Sequence, residues 1–342
     1  MFGEPTKPDL ARLSWPGLVR LAWSSLNGPL ARRRCPSALE NPDRRANSSE
    51  PTDVDHDATP TEGEGWRMAL MTSDMIHPTA VIGPEVELGA EVSIGPYAIL
   101  EGPIRIGSGC VIEAHACLSG PLEMGEGNFV GHGAVLGKPP QHKGYRGEET
   151  WLRIGSHNTF REHVTIHRGT VEGGGVTLVG DRNLLMVNSH VGHDARVGNG
   201  CTLVNNALVA GHCILMDQCI LSGHAAIQQR VRVGRLAMLG GLGSTTKDIP
   251  PFILQQGYNS VVGLNLVGLR RAGMSSATID ALRTMYRIVY LERCPLPQAL
   301  DRAEAELGSV PEVREYLEFV RESKLGINRS RFVRGTHVRN DD

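Results

Sequence analysis

The chain has 342 residues, 41 of them Gly, and only 5% are aromatic, which excludes a conventional core packed with rings. Lys and Arg number 35 against 37 Asp and Glu, so the basic excess of a nucleic-acid binder is missing. No apolar run approaches the ~18 residues of a membrane span. The 7 Cys are scattered without a CxxC pair, which excludes a disulfide framework and a zinc ribbon and fits a reducing cytoplasm.

Residues 1–74 read as a disordered N-terminal extension. Arg12, Arg20 and Arg32 to Arg34 precede a polar, acidic stretch from Glu40 to Asp57, with Gly, Pro, Ser and Thr throughout and no sustained period. The Arg-rich part imitates a targeting peptide, but the acidic stretch behind it points to a dispensable tail. Order begins at Met75.

From Ile76 the chain repeats every six residues. Aliphatic residues stand at Ile76, Ile82, Leu88 and every sixth position to Leu136, and again from Val179 to Leu239; Ile154, Phe160 and Ile166 keep the step between. Period six fits neither a helix face nor strand alternation and marks a parallel β-helix. Three hexads make an 18-residue triangular coil, with the aliphatic residue pointing inward and stacking on its counterpart one coil on. An interior this narrow is expected to refuse rings, and glycine at the corners to supply positive φ. Cys110, Cys201, Cys213 and Cys219 fall at the small position of the hexad and read as core fillers.

The β-helix is expected over 75–252, with two ejected loops at 138–153 and 167–178, the second containing Gly173 to Gly175. Loops on a rigid scaffold are favoured places for function. After Pro250 and Pro251 the hexads stop. Helical spacing over 277–291, 296–307 and 310–325 predicts a helical C-terminal domain within 253–342.

Four histidines, His190, His193, His212 and His224, draw attention as a cluster. Asp194 adjoins His193, and the 18-residue coil stacks Gly211 over His193 and His212 over Asp194. An imidazole takes a proton, a carboxylate fixes its tautomer, and a glycine N–H approaches an oxyanion, which are the parts of acyl transfer. With no Ser or Cys nucleophile beside His193 in the pattern, direct attack by an acceptor hydroxyl is favoured. A zinc site built from three histidines is the competing reading and leaves the loops and helical tail unexplained.

On these residues the chain resembles the UDP-N-acetylglucosamine 3-O-acyltransferases, enzymes of the first step of lipid A synthesis. The matching segments are Ile166 to Thr170, Gly173 to Gly175, Asn183 to Met186, His190 to Asp194, Ala210 to His212 and Gly268 to Arg271. The resemblance covers about 75–335. It implies a left-handed β-helix assembled as a homotrimer with sites between subunits. It implies His193 as general base on the sugar 3-hydroxyl, Asp194 orienting it, and the Gly211 amide in the oxyanion hole. His190, Gln229, Asn265 and Arg271 would contact the nucleotide sugar, with His212, Gln141 and the loop residue His142 helping. The donor would be a (R)-3-hydroxyacyl chain on acyl carrier protein, steered by Arg270, with a slot beside Gly241 measuring the chain; no metal or other cofactor is implied. His142 and Gly144 stand where the family commonly has Asp and Lys, Gln228 where it has His, and Val267 where it has Glu. A 3-amino sugar acceptor therefore stays open.

The related N-acyltransferase of the same pathway would carry a globular domain before the β-helix. A sugar N-acetyltransferase would lack the helical tail. A structural β-helix would show monotonous corners instead of loops beside a His–Asp pair.

Overall fold

The computed structural model describes residues 75–328 except Arg293. The expectations for residues 1–74 and for 329–342 lie outside the described residues. Short strands of two to four residues form three sheets of nine, eight and ten strands, and the chain visits them in turn. Register advances by one coil at each visit, pairing Val81 with Ile99, Ile99 with Cys117, and Cys117 with Val135, all parallel. The hexad rule thus becomes a triangular prism. Each coil buries one aliphatic residue per side, and Leu100, Leu118, Leu136, Ile166, Leu185, Leu203 and Leu221 are fully or almost fully buried. Each such burial contributes about 1.5–3 kcal/mol.

Two expectations about the prism change. Phe160 occupies a hexad position with no exposed surface, so one ring does fit inside. The glycines that follow the aliphatic residues are needed for close approach and not for positive φ. A Cβ on Gly89 would stand 2.6 Å from Ser108 N, and one on Gly107 would stand 2.6 Å from Glu126 N, because the next coil's backbone passes directly over them. The left-handed turn falls two residues later, on Gly109, Gly127, Gly133 and Gly200 as expected at four corners, but elsewhere on side-chain-bearing residues such as Tyr97, His115, Asp194, His212 and Arg230. The four cysteines are interior fillers as expected, each buried at the small position. In the column of Cys110, Cys201 and Cys219 three asparagines stand between them: Asn158 donates through Nδ2 to Asn128 Oδ1 (2.9 Å), and Asn183 donates through Nδ2 to Asn158 Oδ1 (3.0 Å).

Both loops are shorter than the break in the hexads suggests. Strands Val135–Lys138 and Trp151–Ile154 bracket the first, leaving 139–150, and Thr165–His167 and Val176–Val179 bracket the second, leaving 168–175. The flanking residues keep the parallel ladder, which satisfies their backbone groups although their side chains lack the hexad signature. The prism also runs past 252. Strand Ile253–Gln255 pairs in parallel with Met238–Leu239, and Val261–Leu264 then folds back antiparallel to it. That hairpin covers what would otherwise be an open sheet edge.

The helical part is α1 (Leu266–Arg271), α2 (Ser276–Tyr286, continued by a π-helical turn over Arg287–Leu291), α3 (Leu296–Leu307) and α4 (Pro311–Arg321). The Asn265 side chain caps α1 and that of Ser275 caps α2, accepting from Gly268 N and Thr278 N. Pro stands in the first turn of α3 and α4, where its missing N–H costs nothing. The Arg235–Glu315 ion pair (2.7 Å) and the Arg232 guanidinium over the Phe319 ring (4.2 Å) hold α4 to the prism. Among the described residues no helix is long and apolar enough to cross a membrane.

Candidate active site

Both ejected loops leave the prism at one corner, between the nine- and eight-stranded sheets, on consecutive coils. The next coil along that corner carries His193 and Asp194, immediately after strand His190–Val191. Both are buried, at 6% exposure each, a costly place for an ionisable pair unless its hydrogen bonds are met. They are met. Asp194 Oδ1 accepts from Thr170 N (2.7 Å), and Oδ2 accepts from Thr170 Oγ1 (2.8 Å) and His193 Nδ1 (2.7 Å). The Asp194 N–H donates to Thr177 Oγ1 (2.8 Å). A carboxylate only accepts, so Nδ1 of His193 carries the proton and Nε2 keeps a free lone pair.

The second loop closes over this pair. A Cβ on Gly173 would collide with the Asp194 carboxylate, so glycine is required there. Above His193 on the next coil, a Cβ on Gly211 would lie 2.8 Å from both Cε1 and Nε2 of the imidazole, so the glycine lets the backbone reach the basic nitrogen. The equivalent corner position on the first coil is Pro84, a residue with no N–H, so the prism makes no use of the donor at this place. His212 stands edge-on to His193 (ring centroids 5.1 Å apart), its Nε2 3.7 Å from Asp194 Oδ2. Burial pushes the His212 imidazole below its ordinary value against the pull of Asp194; Arg230, His193 and His142 push the same way as burial.

His190 shares a hydrogen bond with Thr165 Oγ1 (2.8 Å) and meets His167 edge-on. Burial, with His167 and His193 nearby, pushes its pKa down to about 4, so it is neutral at pH 7. His167 in turn donates to the Pro139 carbonyl (2.7 Å), pinning the start of the first loop. Arg168 braces that loop from the second, donating to the Gly120 carbonyl and to Tyr145 Oη. The braced loop delivers His142, whose ring centroid is 5.4 Å from that of His193.

Of the residues singled out from sequence, His142, His190, His193, Asp194, Gly211, His212 and the exposed Gln229 share this corner or the sheet edge beside it, and exposed Gln141 lies on its first loop. Four others do not. His224 sits on the corner between the ten- and nine-stranded sheets, its Nε2 3.4 Å from Asn206 Nδ2, because it is 12 residues from His212 and not a whole coil. Gly241 lies on that same corner. Asn265 is on the third corner, where its side chain caps α1 and donates to the Leu236 carbonyl (3.0 Å). Arg271 is exposed in the last turn of α1. Thr170, Thr177 and Thr165, the residues that fix the acid and histidines, were missed. Thr177 is legible from the coil count, but Thr170 lies in a loop that follows no count.

His193, Asp194 and His212 also bring three potential metal-ligand atoms within 4.8 Å of one another. The donor set argues against that use, because Asp194 already accepts three hydrogen bonds and a metal would have to displace His193 from it. The zinc reading from sequence, with three histidines, does not match this two-histidine group.

Residues 248–328 match the family model described as UDP N-acetylglucosamine O-acyltransferase, domain 2. An acyl-[acyl-carrier-protein]–UDP-N-acetylglucosamine O-acyltransferase from Paraburkholderia phymatum is 48% identical over 259 residues, covering 74% of this chain and 99% of the relative. The enzyme of that name from Halorhodospira halophila is 45% identical over 255 residues, with 74% and 99% covered. Among solved structures, the UDP-N-acetylglucosamine acyltransferase from Bacteroides fragilis superposes with a TM-score of 0.72 at 40% identity, covering 74% of this chain and 99% of that one. LpxA from Acinetobacter baumannii gives 0.71 at 36% identity, covering 75% and 100%. The prism is therefore the left-handed β-helix of these structures. Sequence and fold agree: the chain belongs to the UDP-N-acetylglucosamine O-acyltransferase family.

Proposed function

We propose that this acyltransferase moves a (R)-3-hydroxyacyl chain from acyl carrier protein to the 3-hydroxyl of UDP-N-acetylglucosamine, the opening step of lipid A synthesis, with His193 as general base. The carrying observation is the buried His193–Asp194 pair, oriented at 2.7 Å, with the Gly211 backbone against the free imidazole nitrogen. Nε2 of His193 takes the hydroxyl proton as the oxygen bonds to the thioester carbonyl carbon. The Gly211 N–H stabilises the oxyanion, and collapse breaks the C–S bond while the imidazolium returns the proton to the leaving thiolate. Cys213, the thiol next along the chain from His212, is buried inside the prism and its pKa is pushed up by burial to about 12, which supports direct transfer without an acyl-enzyme.

A homotrimer forms part of the proposal. Gly241 and Asn265 lie on different corners from His193, so one prism cannot gather all the expected contacts, whereas packed copies can. Two of the three faces carry outward apolar residues, Val81, Ile99 and Leu208 on one and Phe129, Ile220 and Met238 on another. The third carries the ion pairs Arg105–Glu87 and Arg153–Glu123, with Ile214 as an exposed apolar residue among them. Apolar faces suit subunit contacts and the charged face suits water. Arg270, exposed on α1, is suited to an acidic carrier protein. A cytoplasmic site of action goes with the interior cysteines.

His193→Ala tests the reading. Transfer assayed with UDP-N-acetylglucosamine and 3-hydroxyacyl carrier protein should vanish while far-UV circular dichroism and solution mass stay at wild-type values. Near-normal turnover would reject His193 as the base. Amide product from a 3-amino sugar, with no ester from the 3-hydroxyl sugar, would reassign the acceptor.

A further inference from the structure

The corner that carries His193 continues through three more coils, and its outer residues there include two charges the chemistry above leaves unused. Asp194, His212 and Arg230 occupy one position on consecutive coils, with φ of 61°, 61° and 68°. The backbones are tied, His212 N–H to the His193 carbonyl (2.9 Å) and Arg230 N–H to the Gly211 carbonyl (3.1 Å). Lys247 follows on the next coil. Arg230 and Lys247 are both exposed, and among the described residues neither forms an ion pair. Five prism arginines, Arg105, Arg153, Arg161, Arg232 and Arg235, each hold a glutamate, whereas Arg230, like Arg182 and Arg196, has none among the described residues. The nearby carboxylates are committed elsewhere. Asp194 is saturated by Thr170 and His193, and Asp248 is buried, accepting from Arg232 N (2.8 Å) and Ser323 Oγ (2.7 Å).

Among the described residues, the C-terminal side of the site runs along these cations. On the N-terminal side Thr170 and Gly173 cover Asp194, and His142 stands beside His193. On the C-terminal side Gln228, Gln229, Arg230 and Lys247 are all exposed. A sugar with its 3-oxygen on His193 carries its diphosphate on C1, on the order of one coil spacing away, so Arg230 two coils on and Lys247 three coils on have to reach back to it with their long side chains.

We infer that Arg230 and Lys247 form a diphosphate-binding strip that positions the nucleotide sugar against His193. This rests on the acyltransferase reading, which supplies the nucleotide sugar. Two unneutralised cations match the double charge of a diphosphate diester, whereas the single charge of a carrier protein's phosphodiester arm would need one. Charge-assisted contacts of guanidinium and ammonium with phosphate are among the stronger hydrogen bonds. The depression of His212, to which Arg230 contributes behind burial, goes with an empty strip whose charge an arriving phosphate offsets.

The experiment uses the full chain and the variants Arg230→Ala, Lys247→Ala, the double variant and Arg230→Lys, with Arg196→Ala as a control for loss of an exposed, unpaired arginine on the flat eight-stranded face. Michaelis constants are measured separately for UDP-N-acetylglucosamine and acyl carrier protein, with UDP affinity by calorimetry. Each single alanine should raise the nucleotide-sugar KM and weaken UDP binding about tenfold, a change expected for one lost charge-assisted bond, and the double about a hundredfold. Arg230→Lys should recover most of the UDP affinity, the carrier-protein KM should move less than twofold, and Arg196→Ala should change neither. Unchanged UDP affinity in an otherwise active Arg230→Ala would overturn the strip. So would a shift confined to the carrier-protein KM, which would give the cations to the phosphodiester arm. A wild-type protein that neither binds UDP nor transfers acyl groups would instead overturn the acyltransferase reading.

Discussion

Asp194→Asn isolates what the buried carboxylate does for His193. The backbone at this position has φ of 61°, a conformation Asn tolerates, and the side chains have the same shape, so folding should be spared. The difference lies in the hydrogen bonds. Thr170 N donates to Oδ1, and Thr170 Oγ1 and His193 Nδ1 both donate to Oδ2. An amide nitrogen in place of Oδ1 would face the Thr170 N–H, leaving two buried donors opposed at a cost of about 1–3 kcal/mol. In place of Oδ2 it faces a hydroxyl that can turn round to accept and an imidazole that can accept only by moving its proton to Nε2. The second arrangement wins, and it protonates the nitrogen that must act as base. The expected loss is that of general-base catalysis, about 10²–10⁴-fold in kcat, or roughly 2.7–5.5 kcal/mol of activation free energy. Initial-rate assays across substrate concentration should show KM for both substrates within a few-fold of wild type, and thermal melts should show little change. A kcat within threefold of wild type would refute the tautomer argument, and a collapsed melting transition would show that Asp194 matters for structure instead.

Gly211→Ala should lower kcat by at least tenfold, because its methyl would lie 2.8 Å from Cε1 and Nε2 of His193; undiminished turnover would remove Gly211 from the site. Asn158→Ala should cost about 1–3 kcal/mol in urea unfolding, since it strands the Asn183 N–H inside the prism, while Asn128 Oδ1 keeps the residue-158 N–H and Asn183 Nδ2 keeps the Gly198 carbonyl; a loss below about 0.5 kcal/mol would mean that water or rearrangement replaces the ladder. Gly241→Met should fold normally, since a Cβ there meets only the Gly223 carbonyl at 3.6 Å, and should shift donor preference to shorter acyl chains; an unchanged preference would place the slot elsewhere. The depressed His190 pKa gives a pH signature. Between about 4 and the unfolded value near 6.5 the unfolded chain binds the extra proton, so stability is full above pH 6.5 and falls as the pH drops toward 4. Urea midpoints at pH 7.5 and 5 should therefore converge in His190→Gln, and an undiminished pH slope in that variant would contradict the assignment.

Much of the fold and part of the site are legible in the sequence because a β-helix is quasi-one-dimensional: each residue meets the one a fixed count away. Hence the hexads locate the core, and the coil count alone stacks Gly211 and His212 over the His193–Asp194 pair. The count fails where the chain leaves the prism. It cannot place Thr170, Gly173 or His142, because a loop's path is set by contacts such as Arg168 with Tyr145 and His167 with Pro139, and these pairs share no period. Applied fully, the same count would have separated His224 from His212, since 12 residues is two corners and not a coil.

The glycine content that opened the reading divides the same way. The sequence by itself determined a narrow, ring-poor prism with 18-residue coils, because period six and the scarcity of aromatics are properties of the chain alone. Only the tertiary structure decided why the glycines are there. Those after each aliphatic residue yield to the backbone of the next coil, Gly173 yields to a buried carboxylate, and Gly211 yields to an imidazole, while positive φ falls largely on residues with side chains. Close approach between distant segments is a pairwise property of the folded chain, so no single-residue preference encodes it.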